Sequence, residues 1–146
     1  MKHSFEQKVY YSDTDAYGVV WHGSYLRWLE MGRVEYCEAL GLNLLDLIER
    51  DIVLPVINMN IRYKASGKLN DVVIIETSVS KATPVTVVFE QTIRNKESGK
   101  LFLRAEFEVA AIHNDGGLYR RMPDILKTAF EKNLEIPQYS KTAAVR

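Results

Sequence analysis

Tyr11-Ser12-Asp13-Thr14-Asp15-Ala16-Tyr17-Gly18-Val19-Val20-Trp21-His22-Gly23-Ser24-Tyr25-Leu26-Arg27-Trp28-Leu29-Glu30 sets the frame for the rest of the chain. It reads as the end of a strand, a loop bearing two carboxylates, and the start of a helix. Upstream, Phe5 to Tyr11 alternates as a strand would, and Ser12 to Gly18 is polar and turn-forming. Downstream, Tyr25, Trp28, Leu29, Gly32, Tyr36, Ala39 and Leu40 fall on one stripe at helical spacing, which predicts a helix over Ser24 to Leu40. Ser24 is the expected N-cap and Gly41 the expected C′ residue.

Beyond this helix, Asp46 to Arg50 suggests one short helical turn. Four segments rich in Val, Ile, Thr and Phe then predict strands, at about Val53–Tyr63, Val72–Ala82, Val85–Asn95 and Leu101–His113. Turn residues separate them: Ser66-Gly67 and Asn70-Asp71, then Thr83-Pro84, then Glu97-Ser98-Gly99. Asn114-Asp115-Gly116-Gly117 ends the last strand. Pro123 suits the first turn of a terminal helix reaching about Lys132, and the tail after Pro137 is expected to be loose. One strand, one long helix and then a meander of four strands make an α+β layer fold. The helix should cross the concave face of a curved antiparallel sheet. Two-sided apolar runs such as Val72-Val73-Ile74-Ile75 call for more cover than one helix gives, which points to at least a dimer.

Composition bounds the function. The chain has 146 residues, the length of a single domain over 1–146, with 47% hydrophobic and 26% charged residues. Lys plus Arg and Asp plus Glu each number 19, so no basic surplus invites nucleic acid. The lone Cys37 cannot form an internal disulfide, which agrees with a reducing compartment, and no secretory h-region or transmembrane run is visible. The expected location is cytoplasmic.

The chemistry lies between Tyr11 and Glu30. Asp15 is a carboxylate close to a helix start, whose unpaired N–H groups and positive dipole end can polarise a carbonyl and hold an oxyanion. A carboxylate beside such a group can attack the carbonyl or activate water. Gly18 and Gly23 let the backbone come close to a ligand. Spacing by itself leaves both Asp residues readable as ordinary caps and turn formers. Asp13 reads as the structural one, bonding loop N–H groups. His22 could hold the loop or touch substrate. Trp21, Tyr25 and Trp28 read as core aromatics and Cys37 as a packed residue. His3, His22 and His113 lack metal-ligand spacing, so no metal site is expected.

Asp13-Thr14-Asp15-Ala16-Tyr17-Gly18-Val19-Val20-Trp21-His22 resembles the signature of the 4-hydroxybenzoyl-CoA thioesterase family, which includes the Tol–Pal-associated aliphatic acyl-CoA thioesterases. The similarity runs through Tyr25-Leu26-Arg27-Trp28-Leu29, then resumes at Pro55, Asp71 to Thr77, Leu103-Arg104-Ala105 and Asn114-Asp115-Gly116. It implies a hot-dog fold, in which a curved antiparallel sheet wraps one long helix. It also implies a homodimer or homotetramer with sites at the dimer interface, and hydrolysis of an acyl-CoA, the CoA thioester being substrate and no cofactor being needed. By position, Asp15 matches the catalytic Asp. His22 matches the residue whose backbone N–H polarises the thioester, and its identity is that of the aliphatic branch. Gly18 matches the intervening glycine; Gly23 and Tyr25 lie at the same substrate-binding end. Thr86 stands where the family enzyme has a Ser.

The chain departs from the pattern at Tyr17, where the family has a small residue, and at Thr83-Pro84-Val85, where the family has a basic cluster for the CoA phosphates. Lys64, Lys68 and Lys81 are the nearby cations. Two other readings stay open. One is a hot-dog enoyl-CoA hydratase or dehydratase using Glu30 or Glu35; the other is a non-hydrolytic acyl-CoA or acyl-carrier-protein binding module.

Overall fold

The structure, a computed structural model, describes residues 1–135. The tail expected to be loose lies outside them. In chain order the elements are β1 (Lys2–Lys8), a 3-10 turn (Tyr11–Asp13), α1 (His22–Ala39), α2 (Leu44–Glu49), β2 (Val56–Tyr63), β3 (Val72–Ala82), β4 (Thr86–Asn95), β5 (Leu101–Ala110) and α3 (Asp124–Glu131).

All five strands join one antiparallel sheet in the order β1-β3-β4-β5-β2. Only β3, β4 and β5 form a meander. The expected four-strand meander fails at β2, which does not pair with its successor β3 but crosses to the far side of β5. The reason is that α1 occupies the sheet's inner face, and β1 takes the edge of β3. Two consecutive strands thus stand at opposite edges.

The long helix forms where the apolar stripe lies. Tyr25, Trp28, Leu29, Gly32, Tyr36 and Cys37 are buried on it. Gly32 is the point of closest approach. A Cβ there would lie 2.7 Å from Thr77 Oγ1 and 2.9 Å from both Gln91 Nε2 and Ile75 Cγ2, so the glycine sets how near the helix sits to β3 and β4. Gln91, buried beneath it, donates to Leu29 O and to Thr77 Oγ1 at 2.8 Å each, and accepts from Arg33 Nη1 at 3.0 Å. Its polar atoms are thereby satisfied inside the core. Gly41, with φ +83°, ends α1 in the left-handed position expected of a C′ residue. Asn43 then caps α2 through Oδ1, which accepts from Leu45 N and Asp46 N.

α3 adds a second apolar cover on the inner face. Phe130 meets Phe89 edge-on at 5.7 Å, and Phe89 meets Tyr36 in the same way at 5.8 Å. The opposite edge is left open. β2 is solvent-exposed on both faces, including Val56, Ile57, Met59 and Tyr63. No helix among the described residues is long and apolar enough to cross a membrane. With one sheet wrapped on one long helix, this is the hot-dog fold.

Candidate active site

The helix α1 starts two residues earlier than its sequence suggests, and Ser24 is not its cap. Trp21 occupies the N-cap position with no side-chain cap hydrogen bond, and Ser24 lies inside the first turn. The Ser24 hydroxyl instead donates to Asp13 Oδ1 at 3.2 Å. Asp13 is 2% exposed and collects three donors: Tyr10 N at 2.9 Å, Ser24 Oγ and Arg27 Nη2 at 2.9 Å. Its backbone oxygen also accepts from Trp21 N at 2.8 Å. The structural role expected of Asp13 is thus visible in detail. It fastens the loop to the helix on both its side-chain and its main-chain atoms.

This arrangement leaves the helix N-terminus free. Among the described residues, the N–H groups of His22 and Gly23 have no hydrogen-bond partner. Uncapped first-turn N–H groups next to the positive end of the dipole form an anion site. Gly23 makes room for a side chain folded over it. A Cβ on it would lie 2.3 Å from the Trp21 ring, which folds over the first turn and stands 5.1 Å from the His22 ring. Trp21 is half exposed, so it is not the core aromatic its type suggests. His22 is exposed as well.

Asp15 sits on the tight loop leading into this helix. Its N–H donates to Val19 O at 2.9 Å, and its carbonyl accepts from Gly18 N at 3.0 Å, closing a turn that needs the φ of +77° at Gly18. The loop is stitched at Thr14–Val20 and Val19–Lys68, and Val20 N bonds Gly67 O. The carboxylate is partly buried. One oxygen accepts from Tyr17 N at 2.8 Å, and the other has no partner among the described residues. Tyr17 faces outward, 90% exposed.

Tyr25 is inside the core, with its hydroxyl accepting from Gly67 N at 2.9 Å; burial raises its pKa. It supports the strap that holds the Asp15 loop. Thr86 lies elsewhere. It opens β4 in the turn Thr83–Thr86, where its Oγ1 lies 2.9 Å from Thr83 Oγ1. The Asp15 loop packs near the start of β3 and Thr86 near its end, and β3 is 11 residues long. At ~3.3 Å per residue, the strand between them runs about 33 Å along its path. A single chain therefore brings Asp15, Gly18, His22 and Gly23 together and holds Thr86 apart from them.

Lys64, Lys68 and Lys81 are all exposed. Lys68 is on the strap beside Asp15, and Lys81 is at the Thr86 end. Glu30 and Arg33 line a groove between α1 and β2 with Leu26, Met59 and Phe107. Burial lowers the Arg33 pKa to about 10, and its guanidinium stacks 3.9 Å over Phe107. Glu35 is exposed. Cys37 is buried, and burial pushes its thiol up to about 12, so it stays protonated at neutral pH and is no nucleophile. Among the described residues no three His, Cys, Asp or Glu side chains gather where they could hold a metal.

Three signals were absent from the local pattern: the Ser24–Asp13–Arg27 linkage, the Tyr25–Gly67 tether and the Gln91–Arg33 pair. Each joins residues distant in sequence or turns a cap residue to another use.

Comparison with known proteins bears on the family and the fold. Residues 17–102 match the family described as the thioesterase superfamily, a span that begins two residues after Asp15. The chain is 40% identical to the acyl-CoA thioesterase YbgC of Haemophilus influenzae over 62% of its own length and 67% of that protein. It is 29% identical to the 4-hydroxybenzoyl-CoA thioesterase of a Pseudomonas strain, covering 77% of this chain and 84% of that one. Among solved structures, the DHNA-CoA thioesterase of Staphylococcus aureus superposes with a TM-score of 0.79 at 29% identity, over 99% of this chain and 92% of the other.

Proposed function

This chain belongs to the thioesterase superfamily, and from that premise we propose that it hydrolyses an acyl-CoA to a free carboxylic acid and CoA. The observation that carries the reading is the pairing of Asp15 with an uncapped helix start. The His22 and Gly23 N–H groups receive the thioester oxygen and stabilise the negative charge it gains. The free oxygen of Asp15 attacks the carbonyl carbon or takes a proton from the attacking water. No cofactor enters this scheme, and a substrate carried on CoA together with a reduced, buried Cys37 suits the cytoplasm.

The site is completed by a second copy. β2 offers an unpaired edge with apolar residues exposed on it. Antiparallel pairing of β2 with β2 places the Tyr63 end of one protomer against the Val56 end of the other. The Asp15 end of one sheet then faces the Thr86 end of its neighbour, which joins the two half-sites that one chain keeps apart. The assembly is a homodimer or a pair of such dimers.

An Asp15→Asn variant tests the chemistry. With a panel of short aliphatic, long aliphatic and aromatic acyl-CoAs and a thiol-detecting dye, the folded variant loses at least ~100-fold in kcat on whichever substrate the wild type turns over. Near-normal turnover by that variant would sink the assignment. Tight acyl-CoA binding without thiol release by the wild type would mark a binding module instead, and water addition to an enoyl-CoA a hydratase.

A further inference from the structure

The first turn of α1 has no polar cap. Ser, Thr, Asp and Asn lead at the N-cap position because their side-chain oxygen accepts from the N–H groups of the next residues. Here the position belongs to Trp21, whose side chain caps nothing, and no acidic residue lies in the first turn. The polar groups nearby are committed elsewhere. Asp13 Oδ2 accepts from Tyr10 N, Asp13 Oδ1 from Ser24 Oγ and Arg27 Nη2, and Asp13 O from Trp21 N.

The indole folds back over this turn instead. A Cβ on Gly23, the second helical residue, would collide with Cζ3, Cη2 and Cε3 of the Trp21 ring. Apolar carbon thus lies against the residue whose N–H a capping oxygen ordinarily meets. The Trp21 backbone is fixed on both sides, donating to Asp13 O at 2.8 Å and accepting from Ser24 N at 2.9 Å. The His22 ring stands 5.1 Å from the indole, tilted at 54°. Trp21 is half exposed, so core packing does not account for its place.

We propose that Trp21 is a positioning residue for the hydrolysis: an apolar cover in place of a polar cap, which keeps water and protein acceptors from the His22 and Gly23 N–H groups. An N–H that bonds neither water nor protein keeps its donor for the negative charge that develops on the thioester oxygen. A drier surrounding strengthens that interaction. The helix thereby goes without the stability that a cap would add, as functional sites often do. The inference rests on the acyl-CoA reading above and deepens it, since it makes a side chain outside the reacting set responsible for the state of the oxyanion donors.

Three full-length variants test it. Trp21→Ser supplies a capping oxygen, Trp21→Ala leaves neither cap nor cover, and Trp21→Phe keeps the cover without a cap. Each is melted and assayed on the acyl-CoA that the wild type turns over best. Trp21→Ser is expected to melt ~3 °C above Trp21→Ala. Its kcat should nonetheless be the lower of the two, ~10-fold or more below wild type with KM unchanged. Trp21→Phe restores most of the turnover. A merely structural Trp21 would make activity follow Tm, whereas here the order reverses between Ser and Ala. A Trp21→Ser variant as active as Trp21→Ala overturns the proposal. So does a loss confined to KM, which would put the ring on the substrate, or a Trp21→Phe variant as slow as Trp21→Ala. A Trp21→Ser variant that melts no higher than Trp21→Ala overturns it too, because the added oxygen would then have met no first-turn N–H group. If the wild type cleaves no thioester, the hydrolase reading fails by itself, and the melting order of the variants still decides whether Trp21 holds the place of a cap.

Discussion

The hydroxyl of Ser24, in the first turn of α1, donates to the carboxylate of Asp13 at 3.2 Å and so ties the helix start to the loop before it. It adds to the fastening of the loop, while Trp21 at the N-cap supplies no side-chain acceptor, so the His22 and Gly23 N–H groups have no protein partner among the described residues.

Replacing Asp13 by Ala removes a buried acceptor for three donors, two of which are then left partly desolvated. A loss of about 2–3 kcal/mol in unfolding free energy is expected from urea titration. Arg27→Met costs less, under ~1 kcal/mol, because its side chain is 62% exposed and its ion pair is screened. Equal costs for the two substitutions would contradict the role given to Asp13.

At Gly23 the expected loss is in activity rather than stability. Alanine is the better helix former by ~1 kcal/mol, yet its methyl group cannot coexist with the Trp21 ring as placed. Gly23→Ala should shift the Trp21 fluorescence and cut thioester turnover ~10-fold or more. In a Trp21→Ala background the same change should cost much less. That non-additivity, read from a double-mutant cycle, is the measurement.

Gly32→Ala reverses the sign that helix propensity predicts. The methyl group meets Thr77, Gln91 and Ile75 inside 3 Å, all in the packed layer between α1 and the sheet. Overpacking of this kind costs about 1–3 kcal/mol, and thermal unfolding should show a lowered Tm. A raised Tm would mean that the helix can move off the sheet without loss.

On the sheet's outer face Glu90 pairs directly with Glu106 across the β4–β5 ladder. Burial, then the Glu106 charge, push the Glu90 carboxyl above the usual carboxylate range, while Arg104 and Lys2 oppose the shift. A carboxyl that binds its proton more tightly when folded stabilises the fold below its unfolded pKa and loses that contribution as pH rises through the folded value. Glu90→Gln should therefore raise Tm at neutral pH, by ~1–3 °C since the group is partly exposed. The difference should vanish below about pH 4, where Glu is protonated in both states.

The sequence carried most of the local structure. β3 begins and ends where Val72 and Ala82 predict, because alternation and turn residues are short-range signals. The partner of β2 was not legible: nothing in Val56 to Tyr63 says that it pairs with β5 rather than β3. At the site, Asp15 and Gly18 were readable from the loop, whereas the fate of Ser24 depended on Asp13, eleven residues away.

The bare edge of β2 has a cost outside catalysis. A strand with free N–H and C=O groups and apolar side chains on it templates any compatible strand it meets. On the dimer proposed above, each newly folded chain is thus in a race between its proper mate and illegitimate ones. At low expression the wait for a mate lengthens, and in crowded overexpression the wrong encounters multiply. Charged replacements at Ile57 or Met59 would end both outcomes at once and, on the dimer proposed above, yield a well-behaved protomer that keeps Asp15 yet has no neighbour to finish its site.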